Sequence, residues 1–192
     1  MELKLEPSKT ALVVIDLQRG IVAQPAGPRS GVEVVGRAVQ LVKAMRAKGG
    51  TVVLVHVTPS PDGKDRLNPI TDAPVMAPGP TLPPDWADFV PELKPEPTDI
   101  VITKRQWGAF YGTELDLQLR RRGVDTIVLC GISTRVGVES TARDAFERGY
   151  QQVFVEDAMA AREATEHHHT VNSVFPRIGR IRSTEDVLAA LK

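Results

Sequence analysis

Cysteine is almost missing from this chain. Cys130 is the single one in 192 residues, which excludes an internal disulfide framework and any cysteine-built zinc site. It closes a short apolar run, where a free thiol behaves as a small hydrophobe, so it reads as an inert core group rather than a nucleophile. Net charge is missing too: 24 basic residues face 24 acidic ones. No basic face stands out, and nucleic acid is not expected as a partner. No run of eighteen apolar residues occurs, and the start, MELKLEPSKT, has no apolar core of a secretory signal. The expectation is a cytoplasmic protein with no membrane partner. A Gly-x-Gly-x-x-Gly fingerprint is also lacking after the first apolar run, which removes the main support for dinucleotide binding.

What is present is an ordinary globular composition, 42% hydrophobic, long enough for one domain spanning 1–192 with a sizeable core. Short β-branched runs alternate with helical periodicity. Strands are expected at Ala11–Ile15, Thr51–Val57, Asp99–Thr103, Thr126–Cys130, Gln152–Val155 and Arg180–Arg182. Helices are expected from about Val32 to Met45, over Thr113–Arg122, and after Ser133–Thr134, with Val138, Thr141, Ala142, Ala145 and Phe146 on one face. Further helices are expected over Glu163–Phe175 and after Ser183, where Asp186 three residues on completes a capping pattern. This alternation predicts an α/β three-layer sandwich built on a parallel sheet. Residues 20–30 read as a Gly/Pro-rich loop. Residues 58–99 hold eleven of the fifteen prolines, a connection too long to lack a role: a cover over a site or an arm onto a partner, anchored by Trp86 and Phe89.

Three places carry polar groups where open α/β sheets bind ligands, just beyond the strand ends. Asp16 follows the first strand, Lys104 the third and Gly131–Gly137 the fourth. Each has a plain alternative: a capping carboxylate, a solvated lysine, and a glycine chosen for close packing. Gly137 in the first turn of a helix costs about 1 kcal/mol against alanine, so helix propensity did not select it. His167, His168 and His169 are consecutive on a predicted helix, so their side chains point about 100° apart and do not converge on one metal.

The stretch GISTRVGVESTA resembles the G-[IV]-x-T-x-x-C-V-x-x-T-A pattern of the isochorismatase-like (cysteine hydrolase) family, except that Gly137 stands at the nucleophilic cysteine. VIDLQ around Asp16 and KRQWGAFYGT from Lys104 complete the likeness. True isochorismatases, which cleave a vinyl ether without a thiol, also carry glycine there, as does a further bacterial subgroup. The resemblance implies a six-stranded sheet in the order 3-2-1-4-5-6 and a cis peptide between Ile132 and Ser133. It assigns Asp16 and Lys104 to catalysis beside Gly137, and places oxyanion-binding backbone at Ile132, Ser133 and Gly137. Gln18, His56, Trp107, Phe110 and Arg135 are candidate substrate contacts, with Arg105 a further carboxylate-binding candidate. Metal-binding members show an Asp-x-His pair and a second histidine; neither is present, so no metal and no cofactor is expected. The reading is a hydrolase of a small molecule that works by Asp/Lys acid–base chemistry and assembles as a homodimer or larger. The alternative is a non-catalytic small-molecule-binding protein that has lost its nucleophile.

Overall fold

The computed structural model describes residues 3–72 and 82–191. Their elements run β1 (Thr10–Ile15), α1 (Arg19–Val22), α2 (Gly31–Ala47), β2 (Thr51–Val57), β3 (Ile100–Lys104), α3 (Leu115–Arg121), β4 (Thr126–Ile132), α4 (Glu139–Glu147), β5 (Gln151–Ala160), α5 (Ala164–His169), β6 (Arg180–Arg182) and α6 (Thr184–Ala190). The six strands are all parallel, in the order β3-β2-β1-β4-β5-β6. The chain builds outward from β1 to β3, returns, and builds outward again from β4 to β6. The two halves diverge between β1 and β4, which leaves a crevice at their C-terminal ends.

Side chains alternate across a strand, and the sheet accordingly has two cores. Leu12 and Val14 point to the layer of α2 and α6, with Leu41, Met45 and Val187. Ala11, Val13 and Ile15 point to the layer of α3 and α4, with Leu115, Leu119 and Ala145. In α2 the buried positions Val34, Val35, Ala38, Leu41, Val42 and Met45 recur at helical spacing. Burying each of the larger ones contributes roughly 1.5–3 kcal/mol. Ser30 starts that helix with a reciprocal capping box to Glu33, and Ser183 does the same with Asp186 for α6.

The structure departs from the sequence expectation in several places. β5 runs on to Ala160 instead of stopping at Val155, because its pairing with β4 shifts between Leu129 and Gly131 and then resumes at Met159. Glu156 and Asp157, which look like a strand end, are inside the strand. Asp157 accepts from the Thr184 backbone N–H at 2.7 Å and hydroxyl at 2.8 Å. The helix expected over Glu163–Phe175 is three pieces: α5, a π-turn at Thr170–Val174 and a 3-10 turn containing Pro176. Proline cannot supply the N–H that a continuing helix needs. Phe146 is half exposed rather than packed with the rest of its helix face. The loop after β1 contains the short α1. Of the proline-rich connection, Trp86 lies against Gly20 and Phe89 packs on the core, while residues 73–81 fall outside the described residues.

Candidate active site

At the end of β1 the backbone of Asp16 turns into the left-handed region, φ 53°. This conformation is uncommon for anything but glycine, and strain of this kind clusters at functional positions. The turn swings the carboxylate into the crevice, while the Asp16 N–H still bonds to Val55 O at 2.9 Å. Lys104, the last residue of β3, reaches across β2 and donates from Nζ to Asp16 Oδ2 at 2.7 Å. It donates a second bond to Gln106 O at 3.1 Å. Both side chains are buried, 4% exposed for Asp16 and 2% for Lys104. Asp16 Oδ1 is buried with no hydrogen-bond partner. An orphaned carboxylate oxygen is costly, and a cost of this kind is kept mainly where a group has work to do.

The third component comes from β4. Gly131, at φ 122°, lies so close to β1 that a Cβ would sit 2.1 Å from Ile15 O, so only glycine fits. The Ile132–Ser133 peptide bond is cis. A π-turn over Thr134–Val138 follows, in which Ser133 O accepts the N–H groups of Val136 and Val138 at 3.0 and 3.2 Å. Gly137 lies in this turn, and a Cβ there would stand 3.0 Å from Asp16 Oδ2 and 3.0 Å from Ile15 Cγ2. Asp16, Lys104 and Gly137 are therefore one cluster drawn from three strand ends. Thr141 ties it to the segment after β3: its hydroxyl donates to Gly137 O at 2.7 Å and accepts the Ala109 N–H at 3.1 Å. Sequence reading used Thr141 only as a core position and missed this clamp; its place in α4, one turn after Gly137, is the signal that would have found it.

Two opposing effects act on Asp16. Burial raises its carboxyl, and the charge and hydrogen bond of Lys104 lower it. Burial wins, and the pKa rises from 3.8 to about 6. Burial likewise pushes the Cys130 thiol up to about 12, so no thiolate is available at neutral pH.

The expected contact residues are distributed differently. Gln18 is fully buried and its amide is spent on backbone: Oε1 accepts the Val57 N–H at 2.9 Å, and Nε2 donates to Val57 O and Trp86 O at 3.1 and 3.3 Å. Phe110 belongs to the core, its ring 5.9 Å from that of Tyr150. Gln18 has no polar atom left for substrate, and the Phe110 ring is committed to the core. His56 is held by Ala87 O at 2.9 Å and Thr103 Oγ1 at 2.8 Å. It lines an open groove of about 370 Å³ with Arg19, Phe89 and Lys94, apart from the Asp16–Lys104 pair. Arg135 is exposed and paired with Glu166. Arg105 pairs with Asp65 at 2.6 Å and bonds Thr58 O. Trp107 has its backbone carbonyl 3.5 Å from the Cβ position of Gly137, and its side chain is 63% exposed. His168 and His169 face solvent, whereas His167 is fully buried. Among the described residues, no group of three or more His, Cys, Asp and Glu side chains is placed to hold a metal ion.

Comparison with known proteins supports the same picture. Residues 10–186 match the Isochorismatase domain family. The isochorismatase family protein YwoC of Bacillus subtilis is 52% identical over 190 residues, covering 99% of this chain and 98% of that protein. The ureidoacrylate amidohydrolase RutB of Methylobacterium radiotolerans is 37% identical over 180 residues, 80% of this chain and 68% of its own length. An isochorismatase family protein from Burkholderia thailandensis superposes with a TM-score of 0.93 at 45% identity, covering 100% of this chain and 99% of that one. The N-carbamoylsarcosine amidase of Thermoplasma acidophilum gives 0.75 at 28% identity, over 92% of this chain and 97% of that one.

Proposed function

Since the chain belongs to the isochorismatase family, we propose that it is a hydrolase of a small molecule that works through Asp16 and Lys104 without a thiol nucleophile. The observation that carries this reading is the buried 2.7 Å contact between Lys104 Nζ and Asp16 Oδ2, the oxygen that faces Gly137. A binding pocket has little use for a fully buried lysine–carboxylate pair, whereas a proton-transfer site uses both members. On this reading Gly137 stands where the family's cysteine hydrolases carry their nucleophile, and the chain groups with the glycine-bearing members.

A carboxyl with a pKa of about 6 is ionised at neutral pH, yet it is a stronger base than an exposed aspartate. Asp16 Oδ1 takes a proton from water, and the oxygen of that water bonds to the electrophilic carbon of the substrate. Lys104 holds Oδ2 in place, and backbone N–H groups of the Ile132–Gly137 segment stabilise the charge that develops. The carbon–nitrogen bond then breaks, and the proton held by Asp16 passes to the leaving nitrogen. Carbamoyl amides are the substrate class favoured here, because relatives are an ureidoacrylate amidohydrolase and an N-carbamoylsarcosine amidase. A second copy of the chain completes the reading as its partner, with Trp107 and Tyr111, 63% and 76% exposed, as the surface it covers. No helix among the described residues is long and apolar enough to cross a membrane, which accords with action in the cytoplasm.

The test is turnover of a panel of carbamoyl amides, simple amides, esters and vinyl ethers by wild type and Asp16→Asn, with folding checked by circular dichroism. Loss of about 10²–10⁴ in rate in the variant is expected. Equal turnover by the two proteins overturns the mechanism. Tight binding of panel compounds with no turnover identifies the non-catalytic binding protein instead.

A further inference from the structure

One chain of polar groups, buried at one end and partly exposed at the other, lies outside the Asp16–Lys104 pair and converges on the same turn from the opposite side. His167, on α5, is completely buried. Its Nδ1 is 2.9 Å from Thr134 Oγ1 and its Nε2 is 3.2 Å from Glu156 Oε1. Glu156, on β5, is in turn gripped by Arg29, whose Nη1 and Nη2 lie 3.0 and 3.2 Å from its two oxygens. Thr134 is the first residue of the π-turn that carries Gly137. Four residues from four separate segments thus form one line ending at the site.

The chemistry of the donors fixes the direction of every bond. Arg29 keeps Glu156 ionised, and hydrogen bonds from Arg29 and His167 hold its carboxyl below the usual range against the opposing effect of burial. An ionised carboxylate only accepts, so Nε2 of His167 carries the proton. Burial lowers the imidazole's pKa more than Glu156 raises it, which leaves the ring neutral and Nδ1 bare. A bare nitrogen only accepts, so the Thr134 hydroxyl donates to it. The other charged neighbours do not disturb this order: Arg29 faces the ring through Glu156, and His168 meets it edge-on at 5.6 Å.

We propose that Glu156, His167 and Thr134 form a positioning relay that sets the Ser133–Gly137 turn against Asp16. The relay has the carboxylate–imidazole–hydroxyl order of a nucleophilic triad, but Thr134 is fully buried, so its hydroxyl serves as an anchor. Because bonds in such a chain polarise one another, the turn is held by a directed network that β5 and α5 supply. Rotation of the Thr134 hydroxyl away from His167 loosens the turn, draws Gly137 off Asp16 Oδ2, and lets bulk water reach that second oxygen as well. The inference rests on the reading of Asp16 as the working group, and its test does not require turnover.

Nitrogen-15 spectra of the histidine side chains, with His167 assigned through its loss in His167→Gln, report the tautomer in the wild-type protein. The expected result is a neutral ring protonated at Nε2. A ring protonated at Nδ1, or at both nitrogens at neutral pH, overturns the relay. The second readout is the carboxyl titration of Asp16 in Thr134→Val and Thr134→Ser. Valine keeps the shape and removes the donor; its Asp16 midpoint is expected to fall by about one pH unit as water enters, while serine restores the wild-type midpoint. A Thr134→Val protein that is merely less stable, with the Asp16 midpoint unchanged, shows that the network only packs the core. An inactive panel, or an active Asp16→Asn, removes the hydrolase reading but leaves both spectroscopic results standing.

Discussion

At the residue scale, the decisive balance is on Asp16. Its carboxyl is easier to protonate in the folded protein, with a pKa raised to about 6 from the ordinary 3.8. A raised acid pKa contributes stability below the unfolded value and loses it as pH rises through the folded one. Denaturation of wild type and Asp16→Asn from pH 3 to pH 8 is therefore expected to show the wild type losing ground relative to the variant between about pH 4 and 6. A constant difference contradicts the shift. Activity runs the other way: the base role needs the ionised form, so kcat/KM rises with pH through about 6 and then levels. A rate that falls over that interval assigns Asp16 the acid role. Gly137 sets a further limit. A Cβ would come within 3.0 Å of both Asp16 Oδ2 and Ile15 Cγ2, closer than side chains ordinarily approach. Gly137→Cys is expected to disturb the Asp16–Lys104 pair and lower native turnover more than it adds thiol chemistry. Cys130, with its pKa near 12, leaves the wild type indifferent to iodoacetamide; inactivation by that reagent identifies a working thiol.

At the scale of elements, the capping boxes are the clearest case of sequence dictating structure. Ser183 and Asp186 were readable from three-residue spacing, and the structure holds both reciprocal bonds. Replacing Ser30 by alanine removes the corresponding box from the longest helix. It is expected to cost about 0.5–2 kcal/mol in chemical denaturation, without affecting the Asp16–Lys104 contact. The strands were legible to within two residues, β4 running on from Cys130 to Ile132, except β5. Its continuation was hidden because Glu156 and Asp157 are charged residues inside a strand, a pattern that makes sense only once Arg29, His167 and Thr184 are seen to meet them. The buried role of His167 was hidden for the same reason. Three adjacent histidines look alike in sequence, and only the pitch of α5 decides which one turns inward. The strand order was another matter: periodicity indicates a parallel sheet, but the 3-2-1-4-5-6 order came from family resemblance. Asp16, Lys104 and Gly137 were identifiable as strand-end residues. The left-handed backbone that aims Asp16 was not, since nothing in VIDLQ specifies φ.

At the scale of the whole molecule, two exposed rings on the segment after β3, Trp107 and Tyr111, bear on the proposed self-association. The two lie on either side of the buried Ala109 and Phe110, so this segment is anchored in its middle and presents an exposed ring on each side. Light scattering at micromolar concentration is expected to give a dimer or larger species, and Trp107→Ser with Tyr111→Ser is expected to shift it toward monomer. A wild-type monomer contradicts the proposed self-association.

The Gln18 amide has a consequence for how this chain tolerates change. It bonds Val57, where the proline-rich stretch departs, and Trp86, where that stretch returns. The excursion is thus tied shut at its neck, and its length hardly matters to the sheet below. Each doubling of such a loop costs only about 0.6 kcal/mol of closure entropy. Insertions and deletions between Val57 and Trp86 are therefore absorbed like changes to a drawstring bag, whose mouth keeps its size whatever the bag holds. The knot holds because the glutamine is doubled by neighbours, Gly20 N–H on Trp86 O at 3.0 Å and His56 on Ala87 O at 2.9 Å.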